Sequence, residues 1–134
     1  MIDIENEIFS EVADYVDRHY PGVYLTSEYV KAPSSFPSAS LVEIDNTVVA
    51  ATQTGSSNEN HATVLYEASV YSNKHTGKKA ECKAIIALID ERMTQMGFTR
   101  VMLNVIPDLY DATIYRMVAR YRAVVSSGHV IYRP

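Results

Sequence analysis

The sequence has one cysteine, no tryptophan and no long apolar stretch. A lone cysteine, Cys82, excludes an internal disulfide and suits a reducing compartment such as the cytoplasm. No apolar run approaches the roughly 20 residues that a membrane-spanning helix requires, so no membrane association is expected. The first residues, Met1 to Glu5, offer neither a basic region nor a hydrophobic stretch, which predicts that no secretory signal is present.

The rest of the composition is that of an ordinary folded domain. Apolar residues make up 47% and charged residues 21% of the 134 residues, which is typical of globular proteins. A chain of this length fits one domain, which we predict to span residues 1–134. Ten tyrosines are present. Because tyrosine is enriched both at protein interfaces and in β-strands, its abundance fits either explanation.

Charge is divided unevenly along the chain. Residues 1–67 contain eleven acids and two bases, a balance of −9, whereas residues 68–134 contain five acids and ten bases, a balance of +5. This split could serve packing of one half on the other. It could also serve self-association, in which the acidic face of one copy meets the basic face of the next. A solvated surface with no such role is the remaining explanation.

Hydrophobic periodicity predicts two helices and five strands. An amphipathic helix is predicted over about residues 3–19, ended by Pro21-Gly22, and a second helix runs from the turn at 73–76 to about Met96, with Gly97 as its C-cap. The strands are predicted at 23–30, 39–44, 62–72, 98–106 and 113–125. The resulting order α-β-β-β-α-β-β indicates an α+β fold, with a mostly antiparallel sheet and both helices on one face.

Local patterns add four expectations to this order. Asp45-Asn46 is predicted to be a turn, and Thr76 is predicted to cap the second helix. The polar segment Thr52 to His61, with Gly55 and Asn58, is expected to be the longest mobile loop and a candidate contact loop. Alternation along the fourth strand predicts three side chains that point into the core: Val101, Leu103 and Val105.

Motifs for catalysis or for cofactors are incomplete. Ser72 to Lys79 lies where a phosphate-binding loop would, but it lacks the first glycine and the hydroxyl after the lysine. The four histidines are scattered without metal-ligand spacing. Cys82 falls on the apolar arc of its helix, which favours a buried structural thiol. We therefore expect no enzyme activity, no cofactor and no metal site.

Two basic features and one acidic stripe are the candidate contact residues. Lys74, Lys78 and Lys79 lie at the start of the second helix, where the helix dipole favours anions, so an acidic partner or simple solvation would explain them. The last long strand places Arg116, Arg120 and Arg122 on one face. These side chains either face water or meet carboxylates, for which the first helix offers three candidates: Glu7, Glu11 and Asp14.

Three stretches carry a family resemblance: YVKAPSSFPSASLVEIDN at 29–46, YEASVYSNKHTGKKAECKAIIALIDERMTQMGF at 66–98, and ATIYRMVARYRAVV at 112–125. They resemble the small tail-terminator proteins of long-tailed bacteriophages, also called tail-completion or head–tail joining proteins. The resemblance spans nearly the whole chain in size and element order, and it rests on overall pattern because this family has no short invariant motif.

The resemblance implies a structural role in the virion. Such proteins form a ring, typically of six copies, on the last ring of the tail tube, stop its polymerisation and join it to the head connector. It therefore implies three partners: other copies of the chain, the tail tube protein and the head-completion or connector protein. The location it implies is the tail–neck junction, reached from the host cytoplasm during assembly. No specific nucleic acid and no membrane are expected.

A second resemblance gives the alternative. The order α-β-β-β-α, with lysines opening the second helix, is similar to a double-stranded-RNA-binding domain, which implies phosphate contacts by Lys78, Lys79 and Lys83. Lys83 falls one residue later than that family's usual spacing. Two further strands follow, and the acidic first helix would be repelled by RNA.

Overall fold

The computed structural model describes residues 1–30, 33–50, 60–107 and 111–132. It has the predicted α+β fold, with one short strand more than the sequence predicted. The elements are α1 Glu5–His19, β1 Tyr24–Thr26, β2 Ser38–Val48, β3 His61–Ser72, α2 Lys78–Gln95, β4 Thr99–Val105, β5 Tyr115–Ser126 and β6 Ile131–Tyr132.

The strands form one six-stranded sheet in the order β1-β2-β3-β5-β4, with β6 also paired to β5. Every pairing is antiparallel except that of β1 with β2, so the mostly antiparallel sheet is confirmed. The two edges of the sheet are therefore formed by different parts of the chain. β1 and β2 come from the first half of the sequence, and β4 and β5 come from the second half.

Both helices bury one stripe against the same face of the sheet. Ile8, Val12 and Val16 recur at helical spacing on α1 and are almost fully buried. The equivalent stripe on α2 consists of Cys82, Ile85, Ile86, Ile89 and Met93. These stripes join the inward side chains of β2, β3 and β5 in one apolar core. Its largest fully buried members are aromatic: Tyr66, Phe98 and Tyr121.

One prediction is wrong at the start of α2, and another is confirmed at its end. Thr76 does not cap the helix, because the N-cap is Gly77, at φ 89°, and no side chain caps the first turn. Gly97 follows the helix at φ 104°, the left-handed conformation that suits glycine. A side chain there would also lie 3.2 Å from the Cγ2 atom of Ile131, so this glycine lets β6 approach the end of α2.

The predicted turn at Asp45-Asn46 is wrong. β2 continues through these residues to Val48, and the irregularity is a bulge between Glu43 and Asp45. A bulge inserts one residue without ending a strand, so polar residues there imitate a turn signal. The predicted contact loop at 52–61 is largely outside the described residues, together with Gly55 and Asn58, whereas His61 already begins β3.

Two strand predictions need correction. The first strand was expected over 23–30, but only Tyr24–Thr26 pair with β2. The chain then turns, and the Tyr71 hydroxyl donates to the carbonyl of Val30 on the sheet face away from the helices. The three β4 side chains expected in the core are exposed instead, at 46% for Val101, 39% for Leu103 and 49% for Val105. β4 is an edge strand, and α2 covers it incompletely.

Candidate assembly surfaces

The three arginines of β5 lie on the face of the sheet that the helices leave uncovered. Arg120 donates to the carboxylate of Glu67 on β3 at 2.9 Å, and Arg116 donates to Ser69 at 3.3 Å. The guanidinium of Arg116 also lies 5.2 Å from the centre of the Tyr71 ring, a cation–π distance. The carboxylate that meets Arg120 therefore comes from the neighbouring strand and not from α1.

Arg122 differs from the other two arginines. It is exposed, and its side chain has neither a hydrogen-bond partner nor an ion-pair partner among the described residues. Arg122 is thus the arginine most available to a partner.

Val118 lies between Arg116 and Arg120 on the same face and is only 3% exposed, although neither α1 nor α2 covers it. The aliphatic parts of long arginine side chains can cover an apolar neighbour in this way.

The acidic stripe of α1 is already partly engaged. Glu7 meets His129 at 2.7 Å, and Glu11 meets Arg92 at 2.6 Å. Asp14 is exposed, and within the described parts of the chain it has no such partner. Because α1 lies on one face of the sheet and the arginines lie on the other, the two groups do not meet within one copy.

The lysine cluster at the start of α2 is open to solvent. Lys74 and Lys79 are exposed, and Lys78 is half-buried. No side chain caps the first turn, so its backbone N–H groups add to the positive potential of the lysines. Lys83, the third lysine of the RNA-binding interpretation, is exposed on the same helix.

The uneven charge along the sequence gives the structure an acidic side and a basic side, and we call this separation the lateral charge polarity. α1 lies beside β2, since the Glu5 carboxylate accepts the Glu43 N–H at 2.8 Å and the Asn46 amide donates to the Ile2 carbonyl. α1, β1 and β2 therefore form one side, which we call the acidic side. α2 packs on the other half of the sheet, and with β4 and β5 it forms the basic side.

The acids of the basic side are largely engaged in hydrogen bonds, which leaves its cations dominant. Asp90 accepts from Arg100 at 3.2 Å and from the buried Tyr121 at 3.0 Å. Glu81 accepts from Ser72 at 2.7 Å and from Tyr20 at 2.8 Å. The roles of Glu67, Glu81 and Asp90 were not predictable from the sequence, because their partners lie on other elements. The alternation along β3 places Glu67 on the arginine face, and this was the only available signal.

Two titratable groups, the buried Cys82 and the half-buried Glu43, have clear causes for their shifted pKa values. Cys82 is fully buried, as predicted, and this burial raises the pKa of its thiol to about 12. Burial also raises the pKa of Glu43, and the carboxylates of Glu5 and Asp3 raise it further. The nearby hydroxyl of Tyr66 and the Asn46 side chain only partly oppose this. Oε1 of Glu43 and the Tyr66 hydroxyl are both buried without a hydrogen bond of ordinary geometry.

Replacing Glu43 with glutamine is expected to stabilise the fold at neutral pH. A raised pKa means that the folded state favours the protonated carboxyl, so the ionised Glu43 costs stability above its folded pKa and that cost disappears as the pH falls. Glutamine is neutral at every pH and keeps an oxygen towards Tyr66. Thermal unfolding should therefore give a higher Tm for Glu43→Gln at pH 7, with a gap that closes below about pH 4. A gap of the same size at both pH values would contradict this explanation.

Comparison with known proteins adds no family to these observations. No protein-family model matches the chain, and no curated protein shows a significant sequence match. None of the helices in the described residues is long and apolar enough to cross a membrane. Within those same residues, no three His, Cys, Asp or Glu side chains are grouped so that they could hold a metal ion.

Proposed function

We propose that the chain is a structural subunit of a bacteriophage tail, which joins other copies of itself in a ring, caps the tail tube and connects it to the head. Its partners in this role are further copies, the tail tube protein and the head-completion or connector protein. Its place is the tail–neck junction of the virion, after assembly in the host cytoplasm. The role requires no catalysis and no cofactor.

The lateral charge polarity is the observation that carries this proposal. Complementary surfaces on opposite sides of one copy favour head-to-tail contacts, in which the basic side of one subunit meets the acidic side of the next. Contacts of this kind close into a ring when the rotation between copies is suitable. Arg122 on the basic side and Asp14 on the acidic side have no side-chain partner in the described part of the chain and are the charges most available to such contacts.

Reversing the charge of Arg122 is expected to weaken self-association. Arg122→Glu places an acid on the basic side, where it repels the acidic side of the next copy, so the dissociation constant of the assembly should rise about tenfold or more. Added salt should weaken the wild-type assembly in the same direction. Sedimentation across a range of protein concentrations measures both effects. Assembly of Arg122→Glu at wild-type concentrations would count against the proposed contact.

Lys79→Glu tests the second candidate function. The exposed lysines at the start of α2 favour binding of double-stranded RNA. Under that alternative, Lys79→Glu should abolish a shift of duplex RNA that the wild-type protein produces, whereas Arg122→Glu should retain most of it. Under the structural proposal, no RNA shift should occur with the wild-type protein or with either variant. A shift of duplex RNA that Lys79→Glu abolishes would therefore favour RNA binding, whereas assembly without any RNA shift would favour the structural proposal.

A further inference from the structure

The two edges of the sheet differ in how far they are protected against pairing with another chain. β4 has no strand on its outer side within the described residues, and three of its four apolar side chains, those at 101, 103 and 105, are 39% to 49% exposed. It contains neither proline nor lysine, and its one charge, Arg100, is held by Asp90. Exposed apolar edge strands of this kind readily accept a further strand.

The opposite edge is blocked along β2 but open along β1. The N–H of Glu43 is taken by the Glu5 carboxylate, and the N–H of Asn46 is taken by the Asp45 carboxylate. These contacts occupy edge groups that another strand would need. Among the described residues β1 has no such protection, and Tyr24 at its start is 50% exposed. β1 is therefore the part of the acidic side that is best able to pair with another strand.

The strand-forming sequence around β1 is longer than the strand itself. Residues 23–30 read VYLTSEYV, which is rich in β-branched and aromatic residues, yet only three residues pair with β2. Tyr29 is 67% exposed. Since side chains alternate along a strand, continuation of β1 places Tyr29 on the same face as Leu25, which is the face that packs on the core beneath the helices.

A groove on the basic side matches such a tyrosine. It lies between α2 and β4 on the helix side of the sheet and has a volume of about 260 Å³. Ile86, Leu103, Met117 and Tyr121 contribute its apolar surface. Lys83 contributes positive charge, whereas the charge of Arg100 is met by Asp90, which also lines the groove. Glu28, which precedes Tyr29, is exposed and adds to the charge of the acidic side, although in a continued strand it points to the face opposite Tyr29 and the groove. Partly apolar pockets that take one tyrosine often dominate the affinity of an interface.

We infer that copies of this chain join edge to edge, with β4 of one copy pairing with the β1 segment of the next and Tyr29 entering the α2–β4 groove. The sheet then continues from copy to copy in one direction. This contact rests on the proposed function, because it specifies how the basic side of one subunit meets the acidic side of the next. The partner is a second copy, since the chain itself supplies the apolar edge, the groove, the tyrosine and the opposite charges of its two sides.

Cysteine cross-linking between different copies tests this contact. Ser27→Cys lies on the β1 segment, and Ala87→Cys lines the groove, and both changes leave Tyr29 and Leu103 in place. The native Cys82 is buried and serves as the silent background. The two single variants, alone and mixed, are treated with a short bismaleimide at a concentration where sedimentation shows assembly. We expect covalent dimers in the mixture and none with either variant alone.

The other outcomes separate this contact from the proposed function. Assembly without cross-linking in the mixture overturns the edge contact and leaves the ring proposal standing. Dimers from Ala87→Cys alone indicate that two identical edges meet, which also overturns the edge contact. A chain that stays monomeric at all concentrations overturns both proposals.

Ser127→Cys, in the exposed turn after β5, is the control that should not cross-link to Ala87→Cys. Leu103→Lys should in addition weaken assembly and leave the helical content of the monomer unchanged.

Discussion

Replacing Phe98 with alanine is expected to lower the free energy of unfolding by about 3–5 kcal/mol, because it removes a buried aromatic ring and leaves a cavity. Phe98 is fully buried between the end of α2 and the start of β4. Its ring meets Tyr66 edge to face, with 5.4 Å between the ring centres. Such pairs add to the area that each ring buries. Since domains of this size are stable by only about 5–15 kcal/mol, much of the stability should be lost.

Urea unfolding followed by circular dichroism measures this loss at a protein concentration low enough to keep the chain monomeric. Tyr24→Ala is the matched control, since it removes an aromatic ring that is 50% exposed. Its expected cost is below about 1 kcal/mol. A similarly small cost for Phe98→Ala would show that this ring does not join α2, β3 and β4 in one core.

Replacing Glu81 with alanine is expected to cost about 2–3 kcal/mol, because two hydrogen bonds to a charged acceptor are lost at once. The Glu81 carboxylate accepts from Ser72 at the end of β3 and from Tyr20 after α1. Ser72 is fully buried, so its hydroxyl would lose this acceptor without gaining water. Glu81 also lies in the first turn of α2, where a negative charge is favourable.

Two control variants, Glu81→Gln and Glu91→Ala, make the Glu81 test specific. Glu81→Gln keeps one side-chain oxygen as an acceptor and should cost less than Glu81→Ala. Glu91→Ala removes an exposed carboxylate from α2 and should change stability by less than about 0.5 kcal/mol. Equal costs for Glu81→Ala and Glu91→Ala in thermal or urea unfolding would mean that the contact among α1, β3 and α2 contributes nothing.

The elements that the sequence predicted well are those with long and regular periodicity. α1, α2, β3 and β5 each repeat an apolar pattern over more than ten residues, and their bounds differ from the predictions by only a few residues. The errors occur where distant pairing decides the outcome. The alternation of β4 is the same in a central strand and in an edge strand, so Leu103 was expected in the core. The bulge at Glu43 depends on the register with β3 and resembled a turn.

The candidate surfaces were predictable in kind but not in arrangement. Alternation along β5 was enough to place its arginines on one face, whereas the pairing of Arg120 with Glu67 required the register between β3 and β5. The charge difference between the halves of the sequence was also evident. Its lateral direction follows from the strand order, which separates β1 and β2 from β4 and β5. Local sequence does not determine that order.

This arrangement also decides which arginine makes the better test. Arg120→Glu would place its new carboxylate beside Glu67, so a loss of assembly could reflect repulsion within one copy. Arg122 is exposed and has no such neighbour on the opposite strand, where Leu65 faces it. A change there acts on contacts between copies with little effect on the fold. Arg122→Glu is therefore the preferred variant for testing assembly.

Native mass spectrometry across protein concentration and ionic strength tests the proposed self-assembly most directly. We expect one closed oligomer of defined size, which gains population as the concentration rises and dissociates as salt screens the two charged sides. A monomer at every concentration and at every ionic strength would contradict assembly through complementary sides. An open series of increasing sizes would contradict ring closure.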